Sequence, residues 1–365
     1  MPEGNDEMAQ LSTDEMPKIT PQQSLRSKAR RLSPQRLLTG AMPHQSVSAN
    51  NAVFRYEARR IPTAQELEQR TVFWMLRVVA LLTGLWLVGV MVIIITPKSD
   101  MIGALNYTTP LAVSVYNAMG QFIQLAFLLS FLDKFVLDFI AILTALPTIS
   151  DDIKSGHWEL TALTGLNMRK LVEAKHAVAQ TRAWRTMCSV AGFRLGVVTV
   201  MVLHTLILPF AFPSNNGYVP NPLADLFSSS SAFIDERIFI FWSFLAYIFA
   251  AIVYVIEPRW RLQAVTMGGV AVSTQEHQSA GALFSAFGCL IGVWLVQIVI
   301  AVLAGCSLLW TGGTFLSTTT SGWGALVLIM YVAMVGAGIY QAYASLTGMW
   351  RSAAVRRLVK RGGAL

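Results

Sequence analysis

Long apolar runs recur along this chain and constrain its fold more than any other feature. Five are long enough to cross a bilayer, and a sixth lies within 111–150. Because the hydrocarbon core is about 30 Å thick, one crossing takes about 20 helical residues. Backbone groups in lipid must bond within their own segment, so each run is expected to be a helix. The predicted spans are 78–96, 120–149, 190–212, 238–256, 283–310 and 325–350.

Composition supports this assignment. The chain is 54% hydrophobic and 13% charged, whereas soluble domains carry about a quarter charged residues. The sequence therefore predicts an all-α integral membrane protein, with a six-span transmembrane domain over 71–350.

The distribution of basic residues predicts the orientation of the spans. Of 28 Lys and Arg residues, 10 precede residue 71, 7 lie from Lys154 to Arg194, and 5 follow Trp350. Arg259 and Arg261 mark the next inner loop, while the opposite loops hold only Lys98 and Arg237. By the positive-inside rule, both termini are expected in the cytoplasm, with 351–365 as a basic tail. A nucleic-acid partner is not expected, because no recognition module accompanies the charge.

The N-terminal region divides into two parts. Residues 1–48 are rich in Ser, Gln, Pro and charged residues and have few large apolar groups, so a disordered cytoplasmic tail is expected. Residues 49–70 alternate apolar and basic side chains, which is typical of a helix lying in the membrane interface with its apolar groups in lipid. The residues of this interfacial helix are Val53, Phe54, Arg55, Glu57 and Arg59.

Three charged residues interrupt the second apolar run. Asp133, Lys134 and Asp138 are costly in lipid and are expected to face protein or water. They either line a polar path for a substrate or form a self-neutralised site, since Lys134 and Asp138 are four residues apart and can pair on one helix face. Either the helix begins near Gly120, or 108–132 forms a separate outer or re-entrant piece.

The loop 149–175 is polar, basic and rich in helix formers. Ser155 and Gly156 are expected to interrupt a helix after the second span, and Gly165 is expected to end a short helix that follows. Asn167 is a candidate cap for a further helix, Met168 to Thr186. The short helix would expose Leu160 and Leu163 either to a groove on a partner protein or to the chain's own bundle.

The stretch 257–282, whose middle is mildly apolar, is predicted as an inner loop. Its centre is rich in small residues, including Gly268 and Gly269, which let helices approach closely. It is either a shallow continuation of the fourth span or a turn at the membrane surface.

Signatures of enzymes are absent from the sequence. It contains no GxxxxGK[ST], HExxH, GxSxG or CxxC motif, so neither catalytic activity nor a cofactor is expected. The three cysteines, Cys188, Cys289 and Cys306, have no metal-like spacing and are interpreted as packing residues.

The loop 149–175 resembles the loop between the second and third spans of type-2 ABC exporter permeases. That family shows a charged pair, Gly-x-x-Glu-Leu, Leu-x-Thr-Pro-Leu and a Gly-Lys. Gly165 replaces the family's Pro, and Ala174 replaces its Gly. The segment NNAVFRYEARR also resembles the family's Asn-Pro-Val-x-x-x-Glu-x-Arg, with Ala52 replacing the Pro. The matching loop residues are Asp151, Asp152, Gly156, Glu159, Leu160, Leu163, Thr164, Leu166 and Lys175.

This resemblance implies a permease subunit of an ABC exporter in a prokaryotic cytoplasmic membrane. Members of the family work with a cytoplasmic ATPase and a second permease copy or homologue. ATP-driven closure of the ATPases moves a coupling helix in the loop, and an interfacial helix lies on membrane lipids. Carried over by position, the coupling residues are Gly156, Glu159, Leu160, Leu163, Thr164 and Arg169.

Two other functions are compatible with the sequence. One is a non-transporting membrane scaffold or assembly subunit with the same fold. The other is a membrane-embedded, lipid-modifying enzyme, which the missing motifs disfavour.

Overall fold

Seven α-helices account for most of the part of the chain that the structure describes. The structure, a computed structural model, describes Phe54 and residues 64–95, 110–158, 167–207, 234–275, 279–316 and 323–362. We number the helices α1 to α7 in chain order. Their bounds are Ala64–Ile95, Pro110–Ala145, Pro147–Lys154, Met168–Val202, Ile234–Ser273, Ser279–Leu316 and Trp323–Gly362.

Four of these helices are long and apolar enough to cross a membrane. The candidate spans are Val72–Ile95 in α1, Met168–Thr205 in and just after α4, Gly281–Cys306 in α6 and Val327–Arg361 in α7. Large apolar side chains lie on the outside of the bundle: Ile95 is 75% exposed and Phe284 is 80% exposed. Soluble monomers rarely present such continuous apolar surfaces, because water solvates them poorly. These features mark the chain as a membrane protein.

Helix α2 is continuous where the sequence analysis left two alternatives, a helix that begins near Gly120 or a separate piece over 108–132. It runs from Pro110 to Ala145, about 54 Å at 1.5 Å per residue. It therefore begins well before Gly120, and its residues up to 132 are not a separate piece. Its end comes at Leu146, and Pro147 begins α3 at a position where a missing backbone N–H costs nothing.

Helix α4 begins where the sequence predicts. The Asn167 side chain accepts a hydrogen bond from the backbone N–H of Arg169 at 2.9 Å, which confirms it as the cap. The helix then continues without a break past Thr186 to Val202, and a π-helical turn carries it to Ile207. One continuous helix therefore contains both the segment expected to lead into the third span and the predicted span itself.

Helix α5 corrects the prediction of an inner loop at 257–282. It runs through Pro258 to Ser273, so Arg259 and Arg261 are helical residues and mark no loop. Of the two alternatives, a continuation of the helix that holds the predicted fourth span is the one observed, through Ser273. The basic segment after Trp350 likewise continues α7 as far as Gly362.

Small residues allow three helices to meet closely around the end of α5. Gly268 lies against the ring of Trp350 in α7. A Cβ on Gly269 would come within 2.6 Å of the Ala145 Cβ in α2. This contact confirms the close approach expected from the glycine pair.

We expect Gly269→Ala to lower the free energy of unfolding by about 1–3 kcal/mol, because the added methyl group forces α2 and α5 apart. The measurement is an SDS titration of the detergent-solubilised chain, followed by circular dichroism. The control is Gly292→Ala, since nothing lies within 4 Å of a Cβ built at Gly292. Equal unfolding midpoints for the two variants would contradict the proposed close contact.

Candidate functional site

We call residues 155–167, between α3 and α4, the connector. Its first residues behave as the sequence predicts: α3 ends at Lys154, and Gly156 adopts a φ of 72°, a left-handed conformation that favours glycine. Of the predicted coupling residues, Gly156 and Arg169 are described. Glu159, Leu160, Leu163 and Thr164 lie outside the described residues.

An apolar cluster joins the two ends of the connector to the bundle. Trp158 is 5% exposed and is buried among side chains of α2, α3, α4, α5 and α7. We call this end of the bundle the connector end. The other buried members of the cluster are Ala145, Ile149, Leu171, Val172, Ala179, Met267, Val270, Ala271, Ala354 and Leu358.

Ionic contacts join the same elements. The Lys175 ammonium in α4 lies 2.5 Å from a carboxylate oxygen of Asp152 in α3, and the Lys175 side chain is 5% exposed. This pair unites two residues that the resemblance placed on opposite sides of the connector. Arg169 is 69% exposed and lies 3.3 Å from Glu173, which also lies 3.6 Å from Arg351 of α7. The connector thus has fixed ends, and the exposed cationic residues Lys154, Arg169 and Lys170 flank it.

Phe54 corrects the expectation for the interfacial segment. Its side chain is 2% exposed and contacts Ala174, Ala177 and Val178 on α4. This aromatic group is therefore buried against protein rather than in lipid. The other predicted interfacial residues, Val53, Arg55, Glu57 and Arg59, lie outside the described residues.

Buried charges form a second site in the middle of the bundle. Arg194 of α4 is 1% exposed, and its guanidinium donates to Asp133 of α2 at 3.1 and 3.4 Å and to Glu257 of α5 at 2.7 Å. It also donates to the Tyr254 carbonyl oxygen at 3.0 Å. Pro258 has no N–H to bond that carbonyl four residues before it, so Arg194 supplies the missing donor.

Arg261 forms the second half of this site. Its guanidinium holds Asp138 of α2 in a bidentate pair, with one N–H···O distance of 2.6 Å, and both side chains are at most 1% exposed. Trp294 of α6 donates to Asp138 at 2.8 Å. Arg261 also lies 3.6 Å from Glu257, which links the two halves. We call Asp133, Asp138, Arg194, Glu257 and Arg261 the ion network.

The ion network reaches the last helix through two hydrogen bonds. The Tyr343 hydroxyl of α7 donates to Glu257 at 2.7 Å, and Gln297 of α6 donates to the Tyr343 oxygen. Five helices therefore share one buried polar site. Each carboxylate has a guanidinium partner, which is the arrangement that makes buried charge tolerable.

The Lys134–Asp138 pair, which the sequence offered as one of two alternatives, is not formed. Asp138 is paired with Arg261, and the Lys134 ammonium lies 4.9 Å from the centre of the Phe131 ring. Sequence reasoning treated Arg194 and Arg261 as loop cations and missed Glu257. The sequence contained two signals for this site. Arg194 lies within the predicted span 190–212, and Glu257 directly precedes Pro258 inside an otherwise helical run.

A cavity of about 370 Å³ lies beside the ion network. Helices α2, α5, α6 and α7 line it, and its polar wall includes Lys134, Glu257, Gln297 and Tyr343. Of the three charged residues predicted to line a polar path, Lys134 lines this cavity, whereas Asp133 and Asp138 face the two arginines.

Within the described ranges, no group of three or more His, Cys, Asp or Glu side chains could hold a metal ion. Cys188, Cys289 and Cys306 carry free thiols. Comparison of the chain with protein-family models, with curated proteins and with solved structures yields no match.

Proposed function

We propose that this chain is the membrane subunit of an ABC-type exporter and that its connector binds a separate cytoplasmic ATPase. The observation that supports this proposal is the anchoring of the connector. Trp158 and the Lys175–Asp152 pair fix its two ends to α2, α3 and α4. A force transmitted to these anchors would move the helices that carry them.

Packed helices form a continuous path from the connector to the interior. Helix α4 carries both Lys175 and Arg194, and α2 leads from the ion network to α3. Tilting α2 against α4 would change the distance between Asp133 and Arg194. Because the cavity lies beside these charges, movement of the connector can alter access to it.

The proposed topology has six spans: α1, α2, α4, α5, α6 and α7. The connector end carries Lys154, Arg169, Lys170 and the basic last turns of α7. Because basic residues favour the cytoplasmic face, we propose that both termini and the connector lie inside the cell. A cytoplasmic ATPase could then reach the connector directly.

The test is ATP turnover by the complex purified from membranes of the source organism through a tag on this chain. The double substitution Glu159→Lys with Leu163→Asp is expected to reduce turnover about tenfold or more, since interface anchors contribute about 2 kcal/mol or more each. The control is Lys360→Glu, an exposed charge reversal in the last turn of α7. It should leave turnover unchanged. Full turnover in the double variant would contradict ATPase coupling.

A scaffold without transport activity is the second candidate. The ion network favours it, because its buried ion pairs join α2, α4 and α5, and hydrogen bonds from Trp294 and Tyr343 add α6 and α7, so that the five helices resist separation. Vesicles with the reconstituted complex distinguish the two functions. ATP-dependent movement of an amphiphilic dye across the bilayer supports the exporter, and a stable complex with no transport under turnover supports the scaffold.

A further inference from the structure

We propose that the cavity between α2, α5, α6 and α7 binds an amphiphile with an anionic head group, held at Lys134. This site goes beyond the proposed function, because its occupation requires neither an ATPase nor transport. The inference rests on three features: an available cation at one end of the cavity, apolar walls beyond it, and a volume suited to a small ligand.

The cation is Lys134. It lines the cavity and contacts the Phe131 ring, but no carboxylate among the described residues lies within 4 Å of its ammonium. Glu257, the acid in the same wall, is already bound by Arg194 and Tyr343. Lys134 is therefore the charged group that remains available to a ligand. A carboxylate or phosphate would complement it, and a cationic head would meet charge of its own sign.

The walls beyond this cation are apolar. From Gln297 to Ala304, the lining of α6 extends about 10 Å along the helix at 1.5 Å per residue. Val253, Ile300 and Val335 contribute to this part. The Tyr331 hydroxyl donates to the Ala304 carbonyl, so it is already satisfied. A hydrocarbon chain suits this surface, because such a chain has no polar groups that would need hydrogen-bond partners there.

Size is consistent with such a ligand. The volume of about 370 Å³ lies in the lower part of the range for ligand pockets, about 300–1,000 Å³. Polar groups gather at one end and apolar groups at the other, which fixes the orientation of the ligand. Its head lies beside the ion network, and its tail runs along α6 away from the connector end.

The test is equilibrium binding of radiolabelled dodecyl phosphate to the full chain in nanodiscs of phosphatidylcholine, corrected for empty nanodiscs. Ala304→Phe fills the apolar part and is expected to weaken binding about tenfold or more. The matched control is Leu303→Phe on the neighbouring residue, which is 64% exposed on the outer face of α6. It should bind as tightly as the unchanged chain.

Head-group recognition is tested separately. Lys134→Gln is expected to weaken dodecyl phosphate binding about tenfold, and Lys134→Arg to restore most of it, because a charge-assisted hydrogen bond is lost and then regained. Dodecyltrimethylammonium should not displace the probe. Equal binding by Ala304→Phe and Leu303→Phe, or displacement by the cationic amphiphile, would overturn the proposal. Gel filtration and circular dichroism check that each variant is folded.

An anionic bilayer lipid and a free amphiphile share this head-group chemistry. Nanodiscs containing phosphatidylglycerol separate the two sources. Displacement of dodecyl phosphate in these discs assigns the site to a membrane lipid, and undiminished binding assigns it to a single-chain ligand. With either result, Lys134→Gln must weaken the binding of dodecyl phosphate that is measured. If Lys134→Gln leaves binding unchanged in both kinds of nanodisc, the site is contradicted.

Discussion

Replacing Arg194 by Met is expected to lower the free energy of unfolding by about 3–5 kcal/mol, the typical cost of breaking a buried ion pair by removing one partner. The guanidinium is 1% exposed and serves Asp133, Glu257 and the Tyr254 carbonyl at once. Methionine has a similar length but no donor. Asp133 and Glu257 would each lose a guanidinium partner, and the Tyr254 carbonyl oxygen would lose its hydrogen-bond donor.

SDS titration from mixed micelles, followed by far-ultraviolet circular dichroism, measures this loss. The control is Arg356→Met, which removes an exposed guanidinium from the last turns of α7. It should shift the midpoint little, because exposed charges contribute little to stability. A midpoint for Arg194→Met that equals that of Arg356→Met would contradict the ion network.

Replacing Asp138 by Leu is expected to cost a similar amount, about 3–5 kcal/mol, because the buried Arg261 guanidinium is left without its bidentate partner. The double variant Asp138→Leu with Arg261→Met should recover much of this loss. It removes both charges together and fills the space with apolar groups, a change that is often neutral or stabilising. Glu257 keeps Arg194 and Tyr343 in the double variant.

A double-mutant cycle separates this pairing from general damage to the core. The four unfolding free energies of the unchanged chain, the two single variants and the double variant give the coupling energy between Asp138 and Arg261. A large coupling energy confirms that the two side chains act as a pair. If the loss of unfolding free energy in the double variant equals the sum of the losses in the two single variants, the pairing is contradicted.

Local signals in the sequence predicted local structure well. The Asn167 side chain caps α4 by accepting a hydrogen bond from the backbone N–H two residues on. Gly156 interrupts the helical conformation of the backbone after α3. Both depend on backbone geometry within a few residues, so a short segment contains the information. The small residues at 268 and 269 likewise predicted a close helix contact without identifying the helix on the other side.

The ion network could not be predicted from the same kind of signal. Asp138 and Arg261 are 123 positions apart, and Asp133 and Arg194 are 61 apart. The nearest opposite charge in sequence to Asp138 within one helical turn is Lys134, which favoured the wrong pair. Only the relative rotation of α2, α4 and α5 decides which cation each carboxylate meets, and hydropathy contains no information on that rotation.

The order in which the chain is made gives the ion network a consequence for biogenesis. Asp133 and Asp138 leave the ribosome 61 and 123 residues ahead of the arginines that neutralise them. During translation, α2 therefore carries two acids with no guanidinium to receive them. We expect α2 to wait in a water-accessible or protein-lined part of the translocon and to enter the bilayer only once α4 and α5 have emerged.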